Sequence, residues 1–157
     1  MTYSADEVAA RLEIADLLAR YSYAIDFRQW DELGAMFTAD AVVDYTATGG
    51  IRGTVEEIKA FVASAFEGVH RSQHLMGSMA ITVDVAAGTA TARTMCHNPM
   101  VFAGPGGQPD PGRLAYFGIW YHDRLVLDAG AWRIAERTQE QAYAFLPDGN
   151  SFRLPPG

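Results

Sequence analysis

The sequence predicts an α+β fold in which helices pack on one face of a strongly curved, mainly antiparallel sheet. Apolar residues recur at helical spacing up to about residue 66, whereas long alternating or apolar runs follow from residue 72 onward. Helices gathered before strands along a chain are typical of the α+β class. We expect the 157 residues to form a single domain, 1–157.

The first helix is predicted from about residue 5 to residue 25. Ser4 and Glu7 have the spacing of a capping box, in which each side chain bonds the other residue's backbone N–H. The apolar residues that follow at helical intervals are Val8, Leu12, Ile14, Ala15, Leu17, Leu18, Tyr21 and Ile25. Such a stripe indicates a helix with one face on the core.

A short turn, a short strand and a second long helix are expected next. Asp31 is predicted to cap the turn, and the β-branched segment 41–45 to form the strand. Thr54 and Glu57 form another capping box, and the glycines at 49, 50 and 53 mark the loop before it. The apolar stripe of this helix comprises Ile58, Phe61, Val62, Ala65 and Phe66.

Four long runs in the second half are predicted to be antiparallel strands. They cover residues 73–85, 89–102, 114–127 and 132–145. Residues 86–88 and 128–130 have the length of hairpin connections, and a longer loop rich in proline and glycine spans 104–112. The runs therefore predict a meander of strands.

Composition excludes several classes of protein and partner. A single cysteine, Cys96, cannot form an internal disulfide, which is compatible with a reducing compartment and makes the cytoplasm the expected location. The net charge of −7 opposes binding to nucleic acid or to anionic lipid, since both are polyanions. No apolar run is long enough to span a bilayer, so no membrane association is expected.

The candidate catalytic pair is Asp26 and His74. Asp26 closes the apolar face of the first helix and has aromatic neighbours at Tyr21, Tyr23 and Trp30. His74 lies in the apolar run that begins at Ser72, where we expect a strand. An imidazole beside a carboxylate titrates near neutral pH and can transfer a proton. The pair therefore predicts proton abstraction next to an electron-withdrawing group, followed by elimination or isomerisation.

Each residue of the pair also has a structural explanation. A histidine on an apolar strand is often a hydrogen-bonded core residue, and an aspartate at a helix end often caps the next turn. The remaining histidines, His70, His97 and His122, show no spacing typical of metal ligands, so neither metal nor cofactor is expected. Cys96 is expected to be a buried, unreactive thiol.

The segment 116–121 is apolar on both strand faces, although helices can cover only one face of an antiparallel sheet. Exposed aromatic patches of this size seldom stay uncovered. We therefore expect the outer sheet face to be an interface in a homo-oligomer, a dimer or a trimer.

The chain resembles the SnoaL-like family of the nuclear transport factor 2-like superfamily, whose fold is a cone-shaped α+β roll. Four features carry the resemblance: a helix ending in Tyr-x-x-x-x-Asp, a tryptophan soon after, a Gln-His-x-x-Gly strand and a final Gly-x-Trp-x-Ile strand. This superfamily includes scytalone dehydratase, bile-acid dehydratases and hexachlorocyclohexane dehydrochlorinase. It also includes non-catalytic subunits and binding proteins.

The resemblance implies that Asp26 and His74 are the catalytic residues and that Tyr21 and Tyr45 orient the substrate or polarise its carbonyl. It also implies substrate contacts at the wall positions Asn98, Met100 and Gln141, and we expect further contacts at Tyr23 and Trp30, the aromatic neighbours of Asp26. At three of these positions the residue differs from the one in the enzymes that the chain resembles. Bile-acid dehydratases have an acid in place of Asn98 and an arginine in place of Gln141, and Met100 stands where scytalone dehydratase has a second histidine.

The expected function is that of a cofactor-independent lyase or isomerase acting on a hydrophobic, ring-containing molecule such as a steroid, polyketide or aromatic metabolite. The alternative is a non-catalytic member that binds a small molecule or serves as a scaffold subunit. A third possibility is epoxide hydrolysis. In this superfamily that reaction is associated with an Asp-Arg-Asp cluster around a water molecule, and we cannot place such a cluster on these strands. The enzyme and the non-catalytic member can be distinguished by whether the side chains of Asp26 and His74 meet inside a pocket, because a binding module does not need such a pair.

Overall fold

The structure, a computed structural model, describes residues 2–146 and 152–153. Three α-helices lie in the N-terminal part: α1 (Ala5–Asp26), α2 (Trp30–Ala35) and α3 (Val55–Ala65). The Ser4 side chain accepts a hydrogen bond from the Glu7 backbone, and Thr54 and Glu57 form both bonds of a capping box. The two predicted long helices are therefore present and begin where their caps predict. Among the described helices, none combines the length and the apolar character that crossing a membrane requires.

The described strands form one curved sheet. They are β1 (Phe37–Asp44), β2 (Arg52–Thr54), β3 (Val69–Ser72), β4 (Leu75–Asp84), β5 (Thr89–Ala103), β6 (Pro109–Asp128), β7 (Ala131–Phe145) and β8 (Phe152–Arg153). The order is β2-β1-β7-β6-β5-β3, with β4 also paired to β5 and β8 to β7. All pairs are antiparallel except β1 with β7. The predicted α+β roll, with helices on a curved and mainly antiparallel sheet, is confirmed.

The core lies between the helices and the concave face of the sheet. Ile14 and Leu18 of α1, Val43 of β1, Leu125 of β6 and Ile134 of β7 are all 0% exposed. On the long strands, buried and exposed side chains alternate, so that every second residue faces the helices. This alternation places inward-facing polar residues on the same surface as the core.

Three local expectations were wrong. Asp31 lies inside α2, and Gln29 occupies the cap position without a side-chain bond. The strand expected at 41–45 already begins at Phe37, and Tyr45 follows its end. Gly53, expected in a loop, lies in the short strand β2, which pairs with β1.

The run 73–85 is not one strand, because the ladder breaks at Gln73 and His74. The backbone N–H of His74 donates to the Asp26 carboxylate at 2.8 Å, so this N–H is withdrawn from strand pairing. Pro99, whose carbonyl accepts from Gln73, has no N–H of its own to offer. His74 therefore lies between β3 and β4, and not within a strand as expected.

Gly118 allows an aromatic side chain to cross the outer face of the sheet. Tyr143 of β7 lies opposite Gly118 of β6, and its hydroxyl is 2.8 Å from His97 Nδ1 on β5. A Cβ at position 118 would lie 2.2 Å from the Tyr143 ring. The missing side chain is thus a packing requirement at this site.

We expect Gly118→Ala to destabilise the protein by about 1–3 kcal/mol, because the Tyr143 ring must shift and lose its contact with His97. Urea unfolding measures the effect. The matched control is Gly77→Ala in β4, where a new Cβ meets its nearest atoms at 3.8 Å. Equal unfolding midpoints for the two variants would contradict the packing argument.

Candidate active site

The end of α1 presents Asp26 to the break between β3 and β4. Its carboxylate accepts hydrogen bonds from the Ser72 hydroxyl at 2.7 Å, from the His74 backbone N–H at 2.8 Å and from the His74 ring at 2.7 Å. The side chains of His74 and Asp26 are 7% and 13% exposed. The local fold thus fixes the carboxylate on three sides and couples it to the imidazole.

Burial raises the pKa of Asp26, but the hydrogen bonds and charge interaction from His74, with the bond from Ser72, outweigh it and hold that pKa below its ordinary value of 3.8. The carboxylate is therefore ionised at neutral pH, so His74 Nδ1 carries the proton in their hydrogen bond. In neutral imidazole the other nitrogen, Nε2, is then an acceptor. Its neighbour is the Asn98 side-chain amide nitrogen, 3.0 Å away, which donates to it.

This depressed pKa predicts a loss of stability in acid. A group whose pKa is lower in the folded state stabilises that state at pH values above its pKa in the unfolded chain. The contribution disappears as the pH falls through the pKa of the folded state. We expect the difference in unfolding free energy between the wild type and Asp26→Asn to shrink below about pH 3.8. Urea unfolding at several pH values measures it, and a difference that keeps growing below about pH 3.8 would contradict the assignment.

A cavity of ≈ 300 Å³ lies between α1, α3 and the concave face of the sheet. His74 and Asn98 lie on its wall, whereas Asp26 does not. The imidazole therefore lies between the Asp26 carboxylate and the cavity. Asp26 itself lines a second pocket, on its other side, together with Arg28 and Arg71.

Three tyrosines form the polar end of the cavity. The hydroxyls of Tyr21 and Tyr45 are 2.5 Å apart, and the Tyr21 and Tyr121 rings meet edge to face at 5.7 Å. Burial raises the pKa of each of the three. The hydroxyls therefore keep their protons at neutral pH and can donate to an oxygen atom in the cavity.

A buried ion pair that was not among the predicted site residues lies behind these tyrosines. Arg137 and Asp123 are both 0% exposed in their side chains and form two hydrogen bonds of 2.6 and 2.8 Å. The guanidinium carbon lies 4.0 Å from the Tyr21 ring centroid and 4.4 Å from that of Tyr121. Positions 123 and 137 are inward-facing on neighbouring strands, and a charge at such a position was the available signal.

Three residues that were predicted to contact the substrate lie outside the cavity. Tyr23 is 62% exposed and stacks on Phe27, and Trp30 packs edge to face against Phe66. Gln141 does not line the cavity, whereas Gln139 does and accepts a hydrogen bond from Thr48. The predicted residues that the structure does bring together on the wall are Tyr21, Tyr45, His74, Asn98 and Met100.

The remaining candidates have other surroundings. Burial raises the pKa of Cys96 to about 12, so the thiol is not ionised at neutral pH. His122 is hydrogen-bonded to Glu140 at 2.6 Å on the exposed face, and the His97 ring stacks on Tyr116. Within residues 2–146 and 152–153, no cluster of His, Cys, Asp and Glu has the arrangement of a metal site.

Solved structures with similar folds include a scytalone dehydratase candidate from Novosphingobium aromaticivorans, with a TM-score of 0.77, 18% identity and coverage of 96% of this chain and 93% of that one. They also include a type 2 hexachlorocyclohexane dehydrochlorinase, LinA, with a TM-score of 0.75, 17% identity and 97% coverage of both chains. At these identities the likeness concerns the fold.

Similarity in sequence is closer to two mycobacterial proteins without a characterised function. The uncharacterized protein Rv2910c of Mycobacterium tuberculosis and Mb2934c of Mycobacterium bovis are each 39% identical over 140 residues, covering 89% of this chain and 90% of the relative. The model of the SnoaL-like domain matches residues 6–138. The chain therefore belongs to the SnoaL-like domain family.

Proposed function

We propose that the protein is a cofactor-independent lyase or isomerase that removes a proton from carbon in a hydrophobic, ring-containing small molecule. The observation that carries the proposal is the position of His74, whose ring faces the cavity and is held from behind by the ionised Asp26. A purely structural histidine needs hydrogen-bond partners, but it does not need an anion on one side and a ligand-sized cavity on the other.

In the proposed step, the substrate displaces the Asn98 NH₂ group from His74 Nε2, whose single lone pair then takes a proton from a carbon next to a carbonyl or similar group. The electron pair of the broken C–H bond moves toward that group, and the imidazolium is stabilised by the Asp26 charge at 2.7 Å. The proton then returns to another carbon in an isomerisation, or to a departing hydroxyl in a dehydration. Asp26 acts through the imidazole and is a positioning residue in this scheme.

Tyr21 and Tyr45 are proposed to bind the substrate oxygen on which negative charge develops. One of the two hydroxyl protons is used in the bond between them, which leaves the other free to donate. A hydroxyl that already accepts a hydrogen bond is a stronger donor. Donors fixed in a buried site stabilise developing charge without reorganising.

The size and lining of the cavity support a ring-shaped substrate. A volume of ≈ 300 Å³ is at the lower end of ligand pockets. Its apolar wall comprises Ile25, Phe61, Val62, Ala65, Phe66, Met100, Phe117 and Ile119. The names of two fold neighbours, a dehydratase candidate and a dehydrochlorinase, are consistent with elimination chemistry.

The proposal is tested with the molecule that co-purifies in the cavity, identified by native mass spectrometry and then returned to the emptied protein in heavy water. We expect deuterium to enter the ligand, or water to be lost from it, only with the protein present. A ligand that binds tightly but is recovered unchanged and without deuterium would instead favour the alternative of a binding module.

We also propose that the outer sheet face pairs with another copy of the chain. Met95 on this face is 48% exposed and adjoins the partly exposed Trp120, which Arg93 covers at 4.8 Å. Light scattering at micromolar concentration is expected to give a dimer or trimer, and Met95→Glu to lower the mass. Leu12→Glu is the control, since Leu12 is 66% exposed but lies on α1, which packs on the opposite face of the sheet. A monomeric wild type would contradict the proposal.

A further inference from the structure

We propose that Asn98 selects a ligand with an O–H or N–H group, whose hydrogen is donated to the Asn98 side-chain oxygen inside the cavity. The inference rests on the proposed function in that it concerns the same cavity. It adds a requirement for the ligand: a hydrogen-bond donor must lie beside the His74 ring.

The two ends of the Asn98 amide differ in their contacts. The residue is 4% exposed, and its nitrogen lies 3.0 Å from His74 Nε2. Its oxygen, Oδ1, is buried, and no described residue donates a hydrogen bond to it. Asn98 thus lines the cavity, and of the two ends of its amide only the nitrogen has a hydrogen-bond partner among the described residues.

The ionised Asp26 determines which end of the amide faces His74. Since the carboxylate takes the proton-bearing Nδ1, the neutral ring offers an acceptor at Nε2. Only the NH₂ end of an amide can donate to an acceptor, so Oδ1 is turned away from the ring. The chain Asp26–His74–Asn98 therefore ends in an unused acceptor.

An unused buried acceptor makes binding selective. A ligand that donates to Oδ1 regains a hydrogen bond, whereas an isosteric ligand without a donor leaves the oxygen desolvated and unpaired. Chlorine and ether oxygen donate no hydrogen bond, so halogenated or methylated analogues are disfavoured. The inferred ligand class is therefore a hydroxylated, or N–H-bearing, ring compound.

The test compares 2-naphthol with 2-methoxynaphthalene, which has the same rings but no donor. Titration calorimetry on the full chain is expected to show 2-naphthol binding about tenfold or more tightly. In Asn98→Leu the two affinities should become equal within about twofold. A shift of the Asn98 side-chain amide signals in ¹⁵N NMR upon addition of 2-naphthol would locate the contact.

Two further variants keep the test decisive. Asn98→Asp is measured as well, in case circular dichroism shows that Asn98→Leu does not fold. This variant still offers an acceptor oxygen, so it should retain the preference for 2-naphthol. Met100→Leu alters the same wall without changing a polar group and should also retain it.

Three results would overturn the inference: equal binding of both probes by the wild type, a preference that persists in folded Asn98→Leu, or no binding of 2-naphthol. Binding is measured without turnover, so these results leave the proton-transfer proposal untouched. Inactive His74 variants that still prefer 2-naphthol would leave the Asn98 inference standing.

Discussion

Asp26→Asn is expected to lower any elimination or isomerisation rate by at least ~100-fold, the lower end of what a positioned acid–base group contributes. Asparagine has nearly the shape of aspartate but no charge, so the fold should persist. The new amide can turn either its oxygen or its NH₂ group toward the ring, so the proton is no longer held on His74 Nδ1. In addition, the imidazolium loses the negative charge that stabilises it. The rate and the pH dependence of kcat/KM are measured on the ligand identified from the cavity.

The effect should not add to that of His74→Ala, because the two residues act as one unit. We expect the double variant to be about as slow as the slower single variant. Asp84→Asn is the control, since that carboxylate bonds the Ala87 N–H in an exposed turn. Near wild-type turnover in both single variants would show that the pair is structural, and the binding-module alternative would then be preferred.

The largest effect on stability is expected from Arg137→Met. It leaves the Asp123 carboxylate fully buried without its cation, and removal of one partner from a buried pair typically costs about 3–5 kcal/mol. The double change Asp123→Leu with Arg137→Met should recover much of that loss, because it removes both charges from the core. Urea unfolding of the two single variants and the double variant measures the coupling.

A matched control lies one residue away on each strand. Arg124 and Glu136 are directly opposite each other, as are Asp123 and Arg137, but their side chains are 48% and 57% exposed. Exposed pairs contribute at most about 1 kcal/mol, so Arg124→Met should be nearly neutral. If Arg137→Met proved no more damaging than this control, the buried pair would not stabilise the core.

The rings of Tyr21 and Tyr121 link this ion pair to the cavity. The Arg137 guanidinium contacts the faces of Tyr21 and Tyr121, so its removal should also disturb the polar end of the site. An Arg137 variant that stays folded should therefore bind cavity ligands more weakly. This connects a stability element of the sheet to ligand recognition.

Several parts of the structure follow from local sequence signals. The capping boxes at Ser4 and Thr54 and the apolar stripes after them predict α1 and α3, because a helix start depends on side chains within a few residues. Alternation of apolar residues likewise predicts β5 and β7 with ends close to those observed, whereas β6 begins at Pro109, inside the expected loop 104–112 and ahead of the predicted start at residue 114. These features require no information about distant parts of the chain.

The candidate site was predicted less completely. Asp26 and His74 were identified from their residue types and surroundings, and their side chains meet at 2.7 Å. The resemblance places Gln141 on the wall, where the structure has Gln139. The two residues are two positions apart on β7 with no register shift between them, so they share a strand face, and the position of the cavity along the strand separates them.

The sequence by itself determined the two helices, the long strands and the residue types of the proton-transferring pair, since all of these depend on periodicity and on neighbours along the chain. Only the tertiary structure decided that His74, and not Asp26, faces the cavity, that Asn98 bonds the ring, and that Arg137 and Asp123 are buried together. Each of these contacts joins residues 14 to 48 positions apart. Their geometry depends on strand register and on the angle at which α1 crosses the sheet, and packing of the whole core fixes both.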